Sequence, residues 1–361
     1  MEINKHVETL MRRAIALAKK GIGTTHPNPR VGAVVVNHGE VVGEGWHVRP
    51  GEAHAEVMAL DQAGDRANGA ALYVTLEPCA AHGRTPACTD AIRRAGIKHV
   101  IFASSDPNPA MSGGAKVLKA AGIDVTASVL AAEADALNKP FFHYLRTGLP
   151  WVIAKAAVSL DGKLATRTHH SQWISGPECR RHAHGLRAEC DAIVVGAGTL
   201  MHDNPSLTVR DAAVIGNAPL RVVFCFETPR FFPACKLLSD AAPTRFYVRS
   251  MNEHTQSWQD AGVRVEQASS LIGMLKHLAD DGFLQILLEG GGSLHTSFLE
   301  AGLSHEMVLY QAPIIIGGRD AVSLWGGGGV ETVDVAVRLA DVIRQDFDQD
   351  QMIRGSVVYP G

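Results

Sequence analysis

Long hydrophobic runs are missing from this 361-residue chain: no apolar stretch reaches the length that a bilayer-spanning helix requires. The first twenty residues interleave Glu2, Lys5, Glu8, Arg12 and Arg13 with their apolar positions, so they lack the uncharged core of a secretory leader. A dominant charge is absent too. Lysine and arginine number 34 and aspartate and glutamate 37, and a formal net charge of −3 argues against a strongly basic nucleic-acid surface. Cysteine is sparse, at six, and without a secretion signal such thiols are expected to be reduced or to ligate metal rather than to form disulfides. These absences point to a cytoplasmic protein with neither a membrane nor a nucleic-acid partner. At roughly 100–200 residues per domain the length predicts two domains, and 46% apolar residues are enough for two cores.

What the chain does have is alternation of helix and strand signals. Val7, Leu10, Met11, Ala14, Ile15 and Ala18 recur at helical spacing and stop at Gly21. Val31–Asn37 and Glu40–His47 flank the turn Asn37–Gly39 and read as a hairpin. Helices at His54–Gly64, Thr89–Gly96 and Gly114–Ala121 alternate with strands at Ala70–Leu76, Lys98–Ala103 and Asp124–Ser128. The stretch Asn138–Pro150 shows no clear period, and a domain boundary is placed near Gly148, giving domains 1–148 and 149–361. A second alternation begins with strand Trp151–Val158. Further strands read at Ala192–Gly196, Leu220–Phe226, Thr244–Val248, Gly262–Val265, Gln285–Glu289, Glu306–Ile315 and Met352–Tyr359. Helices at Glu178–Glu189, Leu271–Asp281 and Leu294–Ala301 separate them. Both halves are therefore α/β. Gly326–Gly329 lacks the context of a phosphate loop and reads as a surface loop, and the rest of the tail after Gly317 carries little signal.

One stretch of the first half carries chemistry. His54-Ala-Glu56, Pro78-Cys79 and Cys88 offer one imidazole and two thiolates, a zinc set that leaves the fourth position open for water. Glu56 lies two residues past the histidine, at the start of the same helix, where it can face that position without ligating the metal and serve as the proton shuttle. Cys79 and Cys88 are each expected to precede helical sequence, which favours thiolate. A structural zinc would need a fourth ligand, and His82 is the candidate; two ordinary buried cysteines are the other alternative. The order His-x-Glu, Pro-Cys, Cys matches the signature of zinc-dependent base deaminases, so a catalytic zinc acting on a pyrimidine-like ring is the favoured reading.

The segment Thr75-Leu-Glu-Pro-Cys-Ala-Ala-His-Gly-Arg-Thr-Pro-Ala-Cys88 resembles the deaminase of riboflavin biosynthesis, the RibD family. Most relatives of cytidine deaminase separate the two cysteines by two residues, whereas eight intervene here, and the Gly-Arg-Thr-Pro insertion follows that family. His26-Pro-Asn-Pro-Arg-Val-Gly32 and Gly43-Glu-Gly-Trp-His47 resemble it as well, and the likeness runs through nearly the whole chain. It implies a three-layer α/β/α deaminase domain like cytidine deaminase, joined to an α/β reductase domain like dihydrofolate reductase. It further implies one catalytic zinc, NADPH as the second cofactor and a diaminopyrimidinone substrate carrying a phosphoribosylamino group. A homo-oligomer is the expected assembly. Asn28, His47, His82 and Arg84 take positions of deaminase substrate contacts. Asn28 between prolines can instead simply hold a turn, and His47 can hydrogen-bond within the hairpin.

In the second half the resemblance assigns Ser171, Arg187, Leu207, Arg210 and Glu289 to the substrate of the reductase. It assigns Ala157, Trp173, Thr199, Asp203 and Gly291, Gly292, Ser293 and Leu294 to the dinucleotide. Taken alone these residues say less. Leu160-Asp-Gly162 is a turn signal. Trp173 can cover a nicotinamide ring or belong to a core, and Arg187 can bind phosphate or sit on a solvated helix face. Val194-Val-Gly196-Ala-Gly198-Thr199 looks like a phosphate-cradling turn but lacks the full Gly-x-Gly-x-x-Gly spacing. Glu289-Gly-Gly-Gly292-Ser293 precedes a helix start, where backbone amides can meet a pyrophosphate. Two positions depart from the family: Cys225-Phe226 where Asp-Ser is usual, near the cofactor, and His305, for which a structural effect alone is expected. The competing reading is a nucleic-acid base deaminase with an accessory ligand-binding domain, which the long cysteine spacing and the net charge oppose.

Overall fold

A computed structural model of the chain describes residues 5–81, 86–214 and 216–360. It divides into two compact units, 1–148 and 149–361. The first unit runs α1 (Lys5–Ala18), β1 (Gly32–Asn37), β2 (Glu40–Trp46), α2 (Ala55–Ala63), β3 (Ala71–Leu76), α3 (Cys88–Arg94), β4 (His99–Ser104), α4 (Gly114–Ala120), β5 (Asp124–Thr126), α5 (Ala131–Leu137) and α6 (Lys139–Thr147). Its sheet has the order β2-β1-β3-β4-β5, with β1 antiparallel to both neighbours and β3 to β5 parallel.

The unbroken valines of β1 follow from burial on both faces. Ala33 and Val35 pack with Ala55, Ala59 and Leu60 of α2 and Ile92 of α3, while Val34 and Val36 meet Leu10, Met11 and Ala14 of α1. Helices thus cover both faces of the sheet, and the unit is the three-layer α/β/α sandwich expected. Two glycines of β2 set the spacing of one layer. A Cβ on Gly43 would lie 2.1 Å from the Ala59 carbonyl oxygen, and one on Gly45 2.3 Å from that of Ala55. Only bare backbone lets α2 press this close.

The stretch expected to be aperiodic is helical instead. α6 has Pro140 in its first turn and ends on Gly148 at φ 71°, whose N–H bonds back to Tyr144 O, both signals of a helix. It is nine residues long and buries only Pro140 and Phe141, too few to display a period.

The second unit runs β6 (Trp151–Val158), β7 (Lys163–Ala165), α7 (Pro177–Glu189), β8 (Ala192–Gly196), α8 (Ala197–Asp203), β9 (Leu220–Glu227), β10 (Thr244–Ser250), α9 (Thr255–Asp260), β11 (Arg264–Gln267) and α10 (Leu271–Asp280). It continues with β12 (Gln285–Leu288), α11 (Gly292–Glu300), β13 (Glu306–Gln311), β14 (Val322–Ser323), β15 (Arg338–Phe347) and β16 (Asp350–Val358). The nine-stranded sheet has the order β11-β10-β9-β8-β12-β6-β13-β16-β15. It is parallel from β11 to β13 and antiparallel at β16 and β15. Cys179 and Leu186 of α7 and Trp258 of α9 pack on one face; Met274 and Leu278 of α10 and Phe298 of α11 pack on the other.

Chain order explains where a site can form. From β6 the chain moves outward through β8, β9, β10 and β11, then returns to insert β12 between β8 and β6. Ligands of such sheets bind outside the carboxyl ends of the strands near the point of reversal. Glu289 and the glycines after it leave β12 there.

Two expectations need correction in this unit, and a third is sharpened. The turn Val194–Thr199 leads from β8 into α8 at Ala197, a helix start that the glycines on either side obscured. The strand expected to reach Ile315 ends at Gln311, and Ile315 is 76% exposed. The weakly read tail contains β15, an outer strand with almost no fully buried side chain and therefore no apolar alternation to read.

Candidate active sites

In the first unit the N-terminus of α2 and the loop before α3 bring three ligand atoms together. His54 Nδ1 lies 3.1 Å from Cys88 Sγ and 3.7 Å from Cys79 Sγ, and all three ligand atoms fall within 4.8 Å of one another. Among the described residues they form the one cluster of histidine, cysteine and acidic groups close enough to hold a metal ion. One nitrogen and two sulfurs suit zinc and leave a position open. Cys88 begins α3, whereas no helix follows Cys79 among the described residues before α3; its sulfur accepts the Cys88 N–H at 3.2 Å, the first amide of α3. The Cys88 thiol also donates to Cys79, which lowers the Cys79 pKa and raises that of Cys88. Two thiolates this close together call for a cation between them, and with the imidazole nitrogen inside the same 4.8 Å the donor set fits the metal.

Glu56 sits in the first turn of α2 and is 4% exposed. Burial raises its pKa, against the opposing pull of His54, so its carboxyl retains a proton more readily than a surface glutamate. Asn28 and His47 belong to the same neighbourhood. Asn28 Nδ2 donates to His47 Nε2 at 3.0 Å, His47 Nδ1 donates to Ala53 O at 3.2 Å, and the His47 ring lies edge-on to His54 at 5.6 Å. Burial lowers the His47 pKa, consistent with this neutral tautomer. The turn role of Asn28 is real as well, since its N–H bonds to Thr25 O at 2.8 Å. His82 and Arg84 lie outside the described residues.

In the second unit a cavity of about 1000 Å³ opens at the carboxyl ends of β6, β8, β9 and β12. Its floor is ionic. Arg187 from α7 grips Glu289 with Nε at 2.6 Å and Nη2 at 2.7 Å, donates Nη1 to Thr208 O at 2.9 Å, and Lys155 Nζ approaches Glu289 at 3.7 Å. Burial alone would raise the Glu289 pKa, yet the two cations hold the carboxyl well below its usual range. Arg187 is therefore no solvated helix residue. Lys155 is lowered by burial and partly restored by Glu289. It escaped the sequence reading, although a lone lysine inside the apolar run Trp151–Val158 was a signal, because a buried ammonium needs a partner.

Most of the other expected residues line the same cavity: Ser171, Trp173, Arg210, Ala157, Thr199, Asp203 and Gly291–Leu294. Ser171 Oγ donates to Asp203 at 3.4 Å, and burial raises the Asp203 pKa despite that bond. Trp173 is 65% exposed, with the Arg180 guanidinium 4.5 Å from its ring centroid, so it belongs to the cavity and not to a core. Leu207 departs from expectation: the residue is 2% exposed, packs in the core beneath and does not line the cavity. Gly292 is required, since a Cβ there would lie 2.3 Å from Ser323 O. That contact and the bond from Gly326 N–H to Thr296 Oγ1 at 2.9 Å anchor the glycine run against α11. A glycine-bounded helix start beside arginines fits a dinucleotide phosphate. The stacked His169–His202 pair (centroids 4.2 Å) also lines the cavity and had no sequence signal.

The turn and the two departures resolve differently. Asp161 accepts from Ser159 Oγ, Ile316 N and Gly317 N, which holds its pKa down to about 2 and makes the Leu160-Asp-Gly162 turn a structural clasp. His305 accepts the Val152 N–H at 2.9 Å and stacks on Trp151, the structural role expected. Cys225 is buried, its thiol pushed up to about 12, whereas Phe226 is exposed on the cavity.

Comparison with known proteins agrees with both halves. Residues 4–104 match the family model of the cytidine and deoxycytidylate deaminase zinc-binding region, and residues 150–351 match that of the RibD C-terminal domain. The riboflavin biosynthesis protein RibD of Aquifex aeolicus is 42% identical over 355 residues, covering 98% of each chain. That of Escherichia coli is 39% identical over 360 residues, covering 95% of each. Among solved structures, RibD of Acinetobacter baumannii superposes with a TM-score of 0.86 at 35% identity, over 98% of this chain and 99% of that one. The diaminohydroxyphosphoribosylaminopyrimidine deaminase/5-amino-6-(5-phosphoribosylamino)uracil reductase of Thermotoga maritima does so with 0.85 at 34%, over 97% and 98%.

Proposed function

The chain belongs to the RibD family of riboflavin biosynthesis, a deaminase domain joined to a pyrimidine reductase domain, and from that membership we propose which residues carry each step. Residues 1–148 deaminate a diaminopyrimidinone that bears a phosphoribosylamino group, and residues 149–361 reduce its ribosyl group to ribityl. The observation that carries the first step is a carboxyl, Glu56, buried two residues past the imidazole of a His-Cys-Cys cluster. A zinc ion held by His54, Cys79 and Cys88 supplies Lewis acidity that makes water nucleophilic at neutral pH. Glu56, whose burial favours holding a proton, takes a proton from the attacking water and passes it to the ring nitrogen; it then carries the remaining proton of the added hydroxyl to the amine, which leaves as ammonia while the ring carbon becomes a carbonyl. Asn28 and His47, locked to each other, orient the ring, and the family likeness extends that role to His82 and Arg84.

For the second step, NADPH supplies the hydride. The reading rests on Gly291, Gly292, Ser293 and Leu294 at the start of α11, with Ala157, Trp173, Thr199 and Asp203 around them, as the dinucleotide cradle. Arg210, exposed on the cavity and without a carboxylate partner among the described residues, is suited to the substrate phosphate together with Ser171, and the family likeness alone extends that role to Leu207. Glu289 orients the opened sugar, and Arg187 keeps it ionised. Lys155, its proton loosened by burial, is the donor at the same floor.

The substrate is read as a free small molecule, because a formal net charge of −3 offers little pull on nucleic acid. A cytoplasmic, reducing setting suits six buried cysteines without a disulfide, and no helix among the described residues is long and apolar enough to cross a membrane. A homo-oligomer is supported by apolar side chains exposed on and before the outer strand β15, among them Ile343 and Val333. The deaminase assignment is tested with Glu56→Gln. The variant should retain one zinc per chain while deamination falls by roughly 10²–10⁴-fold. Deamination near the parent rate would reject it.

A further inference from the structure

The loop that carries Asn28, residues 24–31, lies before β1 and belongs to no sheet ladder. Pro27 and Pro29 have no N–H with which to join one. Arg30 is 5% exposed, so its N–H and C=O need partners inside the protein. Both go to one side chain 108 residues later. Asn138 Oδ1 accepts the Arg30 N–H at 2.8 Å, and Asn138 Nδ2 donates to Arg30 O at 2.9 Å. A carboxamide offers an acceptor and a donor side by side, so it pairs with this backbone much as a neighbouring strand would. The Arg30 guanidinium adds a third bond, from Nη1 to Leu137 O at 3.2 Å. Asn138 is 2% exposed and stands at the joint where α5 ends and α6 begins. At such a position asparagine usually caps the new helix with its side chain. Here it makes no capping bond, and both ends of its carboxamide are committed to the loop.

We infer that Asn138 is a positioning residue of the deaminase, which holds the Arg30 backbone so that Asn28 and His47 meet the substrate ring in the right place. The inference rests on the role proposed above for Asn28 and His47 at the ring. Arg30 lies between two anchor points. Two residues before it, Asn28 donates to His47 Nε2 at 3.0 Å; one residue after it, Val31 O accepts the His47 N–H at 2.9 Å. The His47 ring in turn lies 5.6 Å from that of His54. A shift of Arg30 therefore moves the Asn28–His47 pair relative to the His-Cys-Cys cluster. A misplacement of about 1 Å can cost on the order of 10²-fold in rate, so a clasp two residues from a substrate contact is close enough to govern the reaction.

A double-mutant cycle on the zinc-loaded full chain separates positioning from support of the fold. Ammonia release from the diaminopyrimidinone phosphate is followed for the parent, Asn28→Ala, Asn138→Ala and the double variant. Asn138→Ala should lower kcat/KM for deamination by roughly 10–100-fold while one zinc per chain is retained. Reduction of a supplied deaminated substrate should stay at the parent rate. In the Asn28→Ala background the same substitution should cost less than about threefold, because the pair it aligns is already broken. Asn138→Asp is isosteric, keeps an acceptor for the Arg30 N–H and loses the donor to Arg30 O, and it should show the same coupling. Equal costs in both backgrounds, or an Asn138→Ala protein within about twofold of the parent, would overturn the inference. Loss of zinc or of a cooperative unfolding transition in both Asn138 variants would assign the residue to folding and overturn it as well. If Asn28→Ala alone deaminates at the parent rate, the role of Asn28 at the ring fails first, and the inference with it.

Discussion

Replacing Arg187 by methionine removes the strongest partner of a buried carboxylate. Glu289 then keeps only Lys155, at 3.7 Å, in place of two short bonds at 2.6 and 2.7 Å and that ammonium. Breaking one side of such a pair costs about 3–5 kcal/mol, because the remaining charge is stranded away from water. At roughly 2–4 °C per kcal/mol for a unit of this size, the melting temperature should fall by about 6–20 °C. The pH dependence is the sharper signature. In the parent the folded pKa of Glu289 lies below the ordinary 4.5, so its contribution is complete above 4.5 and is lost as pH falls through the folded value. In the variant burial prevails and the folded pKa moves above 4.5. The folded chain then binds the extra proton, and the variant gains stability as pH falls through that value. The deficit relative to the parent should be widest near pH 7 and close on acidification toward pH 5. Urea unfolding followed by tryptophan emission measures it, since Trp151, Trp173, Trp258 and Trp325 all belong to the second unit. Arg187→Met combined with Glu289→Gln should recover part of the loss. A single variant within about 1 kcal/mol of the parent, or a deficit that stays constant with pH, would refute the reasoning.

Further predictions concern both units. Gly45→Ala drives a Cβ to 2.3 Å from Ala55 O and must displace α2, so deamination and the stability of the first unit should drop together while reduction of a supplied deaminated substrate persists. His295 is 1% exposed, and burial lowers its pKa to about 4 from 6.5. The unfolded chain therefore takes up the proton first, and stability should decline as pH falls from 6.5 toward 4, by at most about 3 kcal/mol. His295→Leu should flatten that decline in acid unfolding curves. Arg210→Ala should raise KM for the phosphoribosyl substrate of the reductase by roughly 10–100-fold and leave dinucleotide binding unchanged, as steady-state kinetics and fluorescence titration would read.

The parts of the molecule that were legible in the sequence were those with dense local constraint. The valines of β1 need cover on both faces, and His54, Glu56, Cys79 and Cys88 form a chemical set whose spacing is itself informative. α6 was missed because two buried residues make no pattern, and β15 because an outer strand that buries little has none to show. The ion cluster of Lys155, Arg187 and Glu289 joins residues from β6, α7 and the end of β12, a meeting that only the return of β12 between β6 and β8 creates. Leu207 was placed on the ligand by likeness, but its left-handed backbone, at φ 47°, turns its side chain into the core. Phe226 was noticed only as a departure; its pairing with Arg249 depends on a parallel register that no local motif encodes.

The central claim is that one chain performs two ordered reactions on one pyrimidine. Mass spectrometry of the diaminopyrimidinone phosphate incubated with the zinc-loaded protein tests it most directly. Without NADPH the product should have exchanged an amino group for oxygen and stopped. On adding NADPH the product should gain two hydrogens on the sugar as the nicotinamide absorbance falls. Hydrogen gain before any loss of nitrogen, or no exchange of nitrogen for oxygen with zinc present, would contradict the account.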